Sequence, residues 1–218
     1  MAQPALSRNL PSEIAKLYTP LFSQVSHLHA QWEIYRQLYV AGPETFQLLK
    51  WAANGFFRVV QDTLASEILL TISRLSDAKQ TGRGNRARDN LSLAQLTHSV
   101  DQSKFPVLRA EIDKRLTQSQ QACAFARDVR NKLLAHSDLS TSLRDREAVI
   151  SQATTTNIDA AIVSIAHVMN AIPAHFDGST VVYEIARMPN DGNSLLNRLR
   201  DSRNYWQHVE SQLFPDEA

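Results

Sequence analysis

Cysteine is almost missing from this chain. Its 218 residues include one, Cys123, so no internal disulfide can form and nothing points to an oxidising compartment. Glycine is scarce as well. There are six, most of them between long periodic segments, which suggests helices joined by loops. No run approaches the roughly 18 apolar residues of a membrane span. The start, "MAQPALSRNLPSEI", lacks the apolar stretch of a signal peptide, so a cytoplasmic protein without membrane contact is expected. An excess of one charge is also lacking. The formal net charge is +1, so no global basic field announces nucleic acid, and any such site must be local.

What is present is an ordinary globular balance, 43% hydrophobic and 21% charged residues, enough for a real core. The length suits one domain, or one domain with an appendage. Periodicity predicts a first helix from Ser12 to about Tyr39, with Pro20 starting a new turn or a kink. "VAGPE" breaks it. A second helix is expected from Glu44 to Leu75. Leu49, Ala53, Phe56, Val60, Leu64, Ile68, Ile72 and Leu75 recur there at helical steps, and Gly55 is costly unless a close helix contact uses it. "KQTGRGNRARDN", residues 79 to 90, is polar and cationic and reads as a mobile loop, after which Asn90 or Ser92 caps a short helix. A third long helix should run from Phe105 or Pro106 to about His136. A fourth should run from Thr156 to about Ala171, stopped by Pro173, and an amphipathic last helix should cover Ser194 to Leu213. "GSTVVYEIA" is ambiguous and leaves room for a short strand near 180–186. The fold class is all-α, a helical bundle of long antiparallel helices.

The end of the third helix, "RNKLLAH", raises a question. With Leu133 at the centre of the buried face, Ala122, Ala126 and Val129 fall within about 40° of it, at 100° per residue. Arg130 falls about 60° to one side and His136 about 60° to the other, with Cα atoms about 9 Å apart along the axis. A cation and an imidazole thus flank one apolar seam, while Asn131 projects to the opposite face. A plain structural role is available for both: the arginine can snorkel or pair with a carboxylate, and a terminal histidine can cap carbonyls.

The arrangement of Arg130, the polar Asn131, "KLLA" and His136 resembles the arginine–polar–spacer–histidine motif of the HEPN superfamily. The wider pattern "WEIYRQLY", "FFRVVQDTL", "TISRLSD", "NLSLAQL" and "RNKLLAHSDL" is similar to the abortive-infection U-type (AbiU-like) HEPN group, over roughly residues 30 to 140 and weakly beyond about 150. The resemblance implies a HEPN-like helical core in residues 1–150 carrying the motif, with 151–218 a C-terminal helical extension packed on the same domain. It also implies a metal-independent endoribonuclease, a toxin or phage-defence enzyme, that acts as a homodimer on RNA. An antitoxin or a nucleotidyltransferase would be its partner.

The chemistry fits those residue types. RNA can cleave itself through its 2′-OH, and histidine moves protons near neutral pH while arginine offers a planar, always charged fork to phosphate. No H-x-x-x-H, paired cysteines or clustered acidic ligands occur, so neither a metal nor another cofactor is called for. One histidine cannot be base and acid in one concerted step, and a twofold dimer would duplicate it. Arg130 and His136 are therefore the catalytic candidates. Asn131 and Asp138 are supporting ones. Lys79, Arg83, Arg86 and Arg88 are candidates to guide RNA phosphates. Arg74 and Asp77 of "SRLSD" read as an ion pair, either near the site or, the better reading, simply on the surface, and Trp32, Trp51 and Trp206 read as packing. A non-catalytic HEPN module that binds nucleotides or proteins, or simply dimerises, is the alternative.

Overall fold

The computed structural model describes residues 9–82, 84–131, 153–183 and 188–213. In order come α1 (Ser12–Tyr35), a π-helical turn (Arg36–Val40), α2 (Pro43–Leu75), β1 (Gln80–Thr81), a 3-10 turn (Gly84–Arg86), β2 (Arg88–Asp89), α3 (Leu93–Ser99), α4 (Pro106–Ala122), α5 (Ala124–Val129), α6 (Thr155–Phe176) and α7 (Gly192–Leu213). The fold is all-α, as the periodicities predict. The sheet among the described residues is one pair of two-residue strands. No described helix is long and apolar enough to cross a membrane. Helix α1 continues through Pro20, since one missing N–H removes one rung of the ladder and the flanking Tyr18 and Leu21 are fully buried.

Two compact units emerge, and each has its own core. The first takes the described residues within Met1–His29 and Ser66–Ile185. Here α4 and α6 pack side by side. Phe105 meets the rings of His175 and Phe176 at 5.9 and 5.3 Å, Arg115 donates to the His167 carbonyl at 2.8 Å, and Ser164 Oγ donates to Ser119 Oγ at 3.2 Å. The partner numbers fall as the α4 numbers rise, so the helices are antiparallel. Ile112, Ile162, Ile165 and Met169 are buried, together with Ile14, Leu21 and Leu28 of α1 and Ile68, Ile72 and Leu75 of α2. Each such side chain contributes on the order of 1.5–3 kcal/mol of transfer free energy. Tyr18 and Tyr183 are buried in the same unit, and burial pushes the Tyr18 hydroxyl up to about 12 and that of Tyr183 further up.

Three sequence expectations change in this unit. Pro173 does not stop α6. It is buried inside the helix, which runs on to Phe176, where the aromatic contacts to Phe105 hold the last turn. The stretch after Gly178 is no strand over its described residues. Instead the Asn170 side-chain amide pairs with both backbone groups of Val181, at 2.9 Å each, and takes the place of a neighbouring strand. The described part of residues 79 to 90, a stretch expected to be a mobile loop, holds a hairpin in which Gln80 faces Asp89 and Thr81 faces Arg88. Asn90 closes its base: its N–H donates to the Lys79 carbonyl at 2.8 Å, and its side chain donates to the Ala78 carbonyl at 2.8 Å and Thr81 Oγ1 at 2.7 Å. Ser92, not Asn90, caps α3, accepting from the Gln95 N–H at 3.3 Å. Gly82 turns the hairpin at φ +90°, where a Cβ would lie 2.5 Å from the Arg86 carbonyl oxygen.

The second unit takes the described residues within Ala30–Ala65 and Ala186–Ala218. Leu38, Leu48, Leu49, Phe57 and Leu196 form its buried cluster. The sequence stripe selected Phe56, but Phe56 is 64% exposed and Phe57 7%. The cause is Ala53, which adopts φ −168° and ψ 76° inside α2. In an unbroken helix Phe56 would sit about 20° from Leu49. One extended residue rotates the turns after it and brings Phe57 inward. Gly55 lies just beyond this break with open space where a Cβ would stand, so no close helix contact uses it. Trp51 and Trp206, read as packing, are 48% and 54% exposed, whereas Trp32 is buried. Asp191 begins α7 by accepting from the Ser194 N–H at 3.1 Å and from Gln37 Nε2 at 3.0 Å.

Candidate functional site

The third predicted helix is two helices. Cys123, at φ −90° and ψ 0°, ends α4 and precedes α5, and the backbone is π-wound at Arg130 and Asn131. Phe125, Ala126 and Val129 anchor α5 by burial. They leave the next turn to carry Arg130 out towards the end of α2.

Arg130 is not a snorkelling cation. Its Nη1 donates to both carboxylate oxygens of Asp77, at 2.7 and 2.9 Å, and its Nε donates to Asn131 Oδ1 at 3.3 Å. The Arg130 and Asp77 side chains retain 26% and 24% exposure, so the pair is largely withdrawn from water yet still reachable. Asn131 is exposed, and on an ideal helix it would face away. The wider π-turn lets its side chain meet that of Arg130.

A second arginine secures the same place. Arg127 Nη1 donates to the Ser76 carbonyl at 3.3 Å and to Ser76 Oγ at 3.2 Å, while Nη2 donates to the Gln120 carbonyl at 2.9 Å. It thus ties α4 to the residue beside Asp77. A cation at the C-terminal end of α2 also suits the helix dipole. Beneath it, Cys123 lies 3.8 Å from Ser119 Oγ, and burial pushes its thiol up, away from the reactive thiolate.

Sequence reasoning paired Asp77 with Arg74 of its own segment "SRLSD", whereas the structure pairs it with Arg130. Arg74 turns instead to Glu67 on its own helix, at 2.6 Å, on an exposed surface. The available signal was a carboxylate directly after a buried helical stripe. Of the other candidates, Lys79, Arg86 and Arg88 are exposed on the hairpin, which begins three residues after Asp77. Lys79 Nζ lies 3.5 Å from His98 Nε2. His136, Asp138 and Arg83 lie outside the described residues.

A family model described as AbiU2, HEPN_AbiU2, matches residues 12–205. No curated protein and no solved structure matches the chain. The match begins with α1, continues past residue 150 where the sequence resemblance had faded, and ends within α7. Over an all-α fold with a positioned Arg130, it makes this chain a member of the AbiU2 family of HEPN domains.

Proposed function

We propose that the protein is a metal-independent endoribonuclease of the abortive-infection type, with Arg130 and His136 as its catalytic pair. The observation that carries this reading is the Asp77–Arg130 contact, which presets a guanidinium that remains partly accessible beside an exposed amide. Ordering an arginine in advance removes the rotamer entropy that phosphate binding would otherwise cost.

In this scheme the 2′-OH of RNA loses its proton to one His136, and its oxygen bonds to the adjacent phosphorus. The P–O5′ bond breaks, and the leaving 5′-oxygen takes a proton from a second His136. Arg130 neutralises the charge that builds on the phosphoryl oxygens. The two histidines come from two copies of the chain in a homodimer. Lys79, Arg83, Arg86 and Arg88 guide the strand, and an antitoxin or nucleotidyltransferase restrains the enzyme. A second reading, a non-catalytic binding and dimerisation module, draws support from the same ion pair. Asp77 already occupies Nη1, and a phosphate must share or displace it.

The test is cleavage of RNA by purified protein in chelator. The expected products end in 2′,3′-cyclic phosphate and 5′-hydroxyl, and RNA with 2′-deoxyribose at the cut resists. His136→Ala should lose roughly 10²- to 10⁴-fold in rate. Arg130→Lys should stay impaired, because it keeps charge without the fork. Cleavage of DNA, dependence on a divalent metal, or full activity of His136→Ala would refute the mechanism. Absence of any cleavage would favour the binding module.

A further inference from the structure

One row of α2 carries both signs of charge. Phe46, Lys50, Asn54, Arg58 and Asp62 follow one another at steps of four, and all line a cavity of about 310 Å³. The neighbouring row supplies the floor. It consists of Leu49 and Phe57, both buried, with Ala53 between them adding no side chain beyond Cβ. The Tyr39 ring joins them from the π-helical turn, held by its hydroxyl, which donates to the Phe57 carbonyl at 2.9 Å. Burial first, then Tyr35 and Asp62, push that hydroxyl up to about 12, so the Asp62 carboxylate lies near it. The Phe46 ring is 57% exposed and open to a ligand. Among the described residues, the side chains of Lys50, Asn54, Arg58 and Asp62 have no hydrogen bond or ion pair. Two cations and a carboxylate thus surround one aromatic hollow without pairing with one another. The ribonuclease scheme uses none of them.

We infer that this cavity binds a free aromatic α-amino acid in its zwitterionic form. The volume lies at the small end of ligand pockets, which span roughly 300–1,000 Å³, so it admits one small molecule. The rings of Tyr39, Phe46 and Phe57 offer faces and edges to an aromatic side chain. Arg58 presents a planar fork to the α-carboxylate, and Lys50 adds a second cation. Asp62 accepts from the α-ammonium, which also gains from the ring faces. Asn54 and Gln61 each hold a donor and an acceptor, so their amides serve either charged group. The pattern of charge decides among ligands. A nucleotide brings phosphate to the two cations but no cation to Asp62, which repels it. A chain terminus of a peptide carries only one of the two charges. An apolar ligand leaves all three charged groups unmatched, and an inorganic anion leaves the rings unused. A ring beside one anion and one cation meets every part of the lining. This site takes nothing from the ribonuclease reading and stands with or without it.

Calorimetric titration of the full chain with phenylalanine, tyrosine and tryptophan tests it. At least one should bind saturably at one per chain. Its deaminated acid and its decarboxylated amine should each bind at least about tenfold more weakly, since each lacks one of the two charges. Arg58→Ala and Asp62→Asn change exposed side chains and should each weaken binding of the amino acid about tenfold, with unchanged melting curves. Asp62→Asn should not weaken binding of the deaminated acid, which has no ammonium to lose. A merely structural role for Asp62 would weaken both ligands alike. Arg130→Ala should bind the amino acid as the parent does, so a chain that cuts no RNA can still bear out this site. The inference is overturned by no saturable binding at millimolar concentration, by binding indifferent to Arg58 and Asp62, or by loss of binding in Arg130→Ala. Tighter binding of an N-acetylated amino acid or of a ribonucleoside 5′-monophosphate than of the free amino acid would overturn it equally.

Discussion

Asp77 and Arg130 are 53 positions apart in the chain, yet one guanidinium nitrogen of Arg130 donates to both oxygens of the Asp77 carboxylate. The contact joins the end of α2 to the end of α5. It has an energetic consequence, because the pair is neither fully wet nor fully buried. Breaking it by Asp77→Ala should cost about 1–2 kcal/mol, between the values for surface and buried pairs. A double-mutant cycle with Arg130→Ala, followed by urea unfolding, should return a coupling of about 0.5–2 kcal/mol. Additive losses would mean that the pair contributes no stability.

Arg127 makes three hydrogen bonds with a forked head, two to Ser76 and one to Gln120. Lysine keeps the charge but cannot span both partners. Arg127→Lys should therefore lower unfolding stability by about 1–2 kcal/mol, the scale of hydrogen bonds to a charged group. If Arg127 also positions Asp77, Arg130 will be misplaced. The RNA cleavage rate would then fall in protein that is still fully folded at the assay temperature, with KM little changed. Parental kinetics would confine Arg127 to stability.

The cations of residues 79 to 90 offer a salt-dependence test. Neutralising Lys79, Arg83, Arg86 and Arg88 together should weaken RNA binding. It should also reduce the slope of log K against log salt by about 0.7 to 0.9 for each phosphate no longer neutralised. Filter binding across a salt series measures this. A slope equal to that of the parent would leave the hairpin without a role in RNA binding.

Acid should loosen the start of α7. The Asp191 carboxyl is held below its ordinary value of 3.8, first by the Ser194 backbone N–H and then by the Gln37 side chain. A carboxylate with a depressed folded pKa stabilises the fold above its unfolded pKa, and that contribution is lost as pH falls through the lower folded value. Asp191→Asn should accordingly melt below the parent near pH 7, and the gap should close as pH drops from about 4 towards 2. A gap that persists at the acid end would mean that the carboxylate charge is not what stabilises this helix start.

Much of the molecule follows from local rules. Apolar steps of three and four place Leu108, Ile112, Ala126 and Val129 inward, Ser92 caps the helix it precedes, and the scarcity of glycine keeps the segments long. These depend on neighbours within one helical turn, so the order of residues alone determines them. Arg130 stood out for the same reason, as a cation beside an apolar seam.

Tertiary structure decided the rest. Which carboxylate meets Arg130 depends on where α2 ends against α5, and Asp77 prevails over any nearer acid only because packing brings those two ends together. Pro173 continues a helix because its turn is buried and Phe105 packs on Phe176 at the helix end. Phe57 replaces Phe56 in the second core because one extended residue, Ala53, resets the helical phase, and the same break borders the cavity of Lys50 and Arg58. Periodicity carries a face only as far as the helix is unbroken. Where the backbone departs from 100° per residue, packing selects the side chain that turns inward.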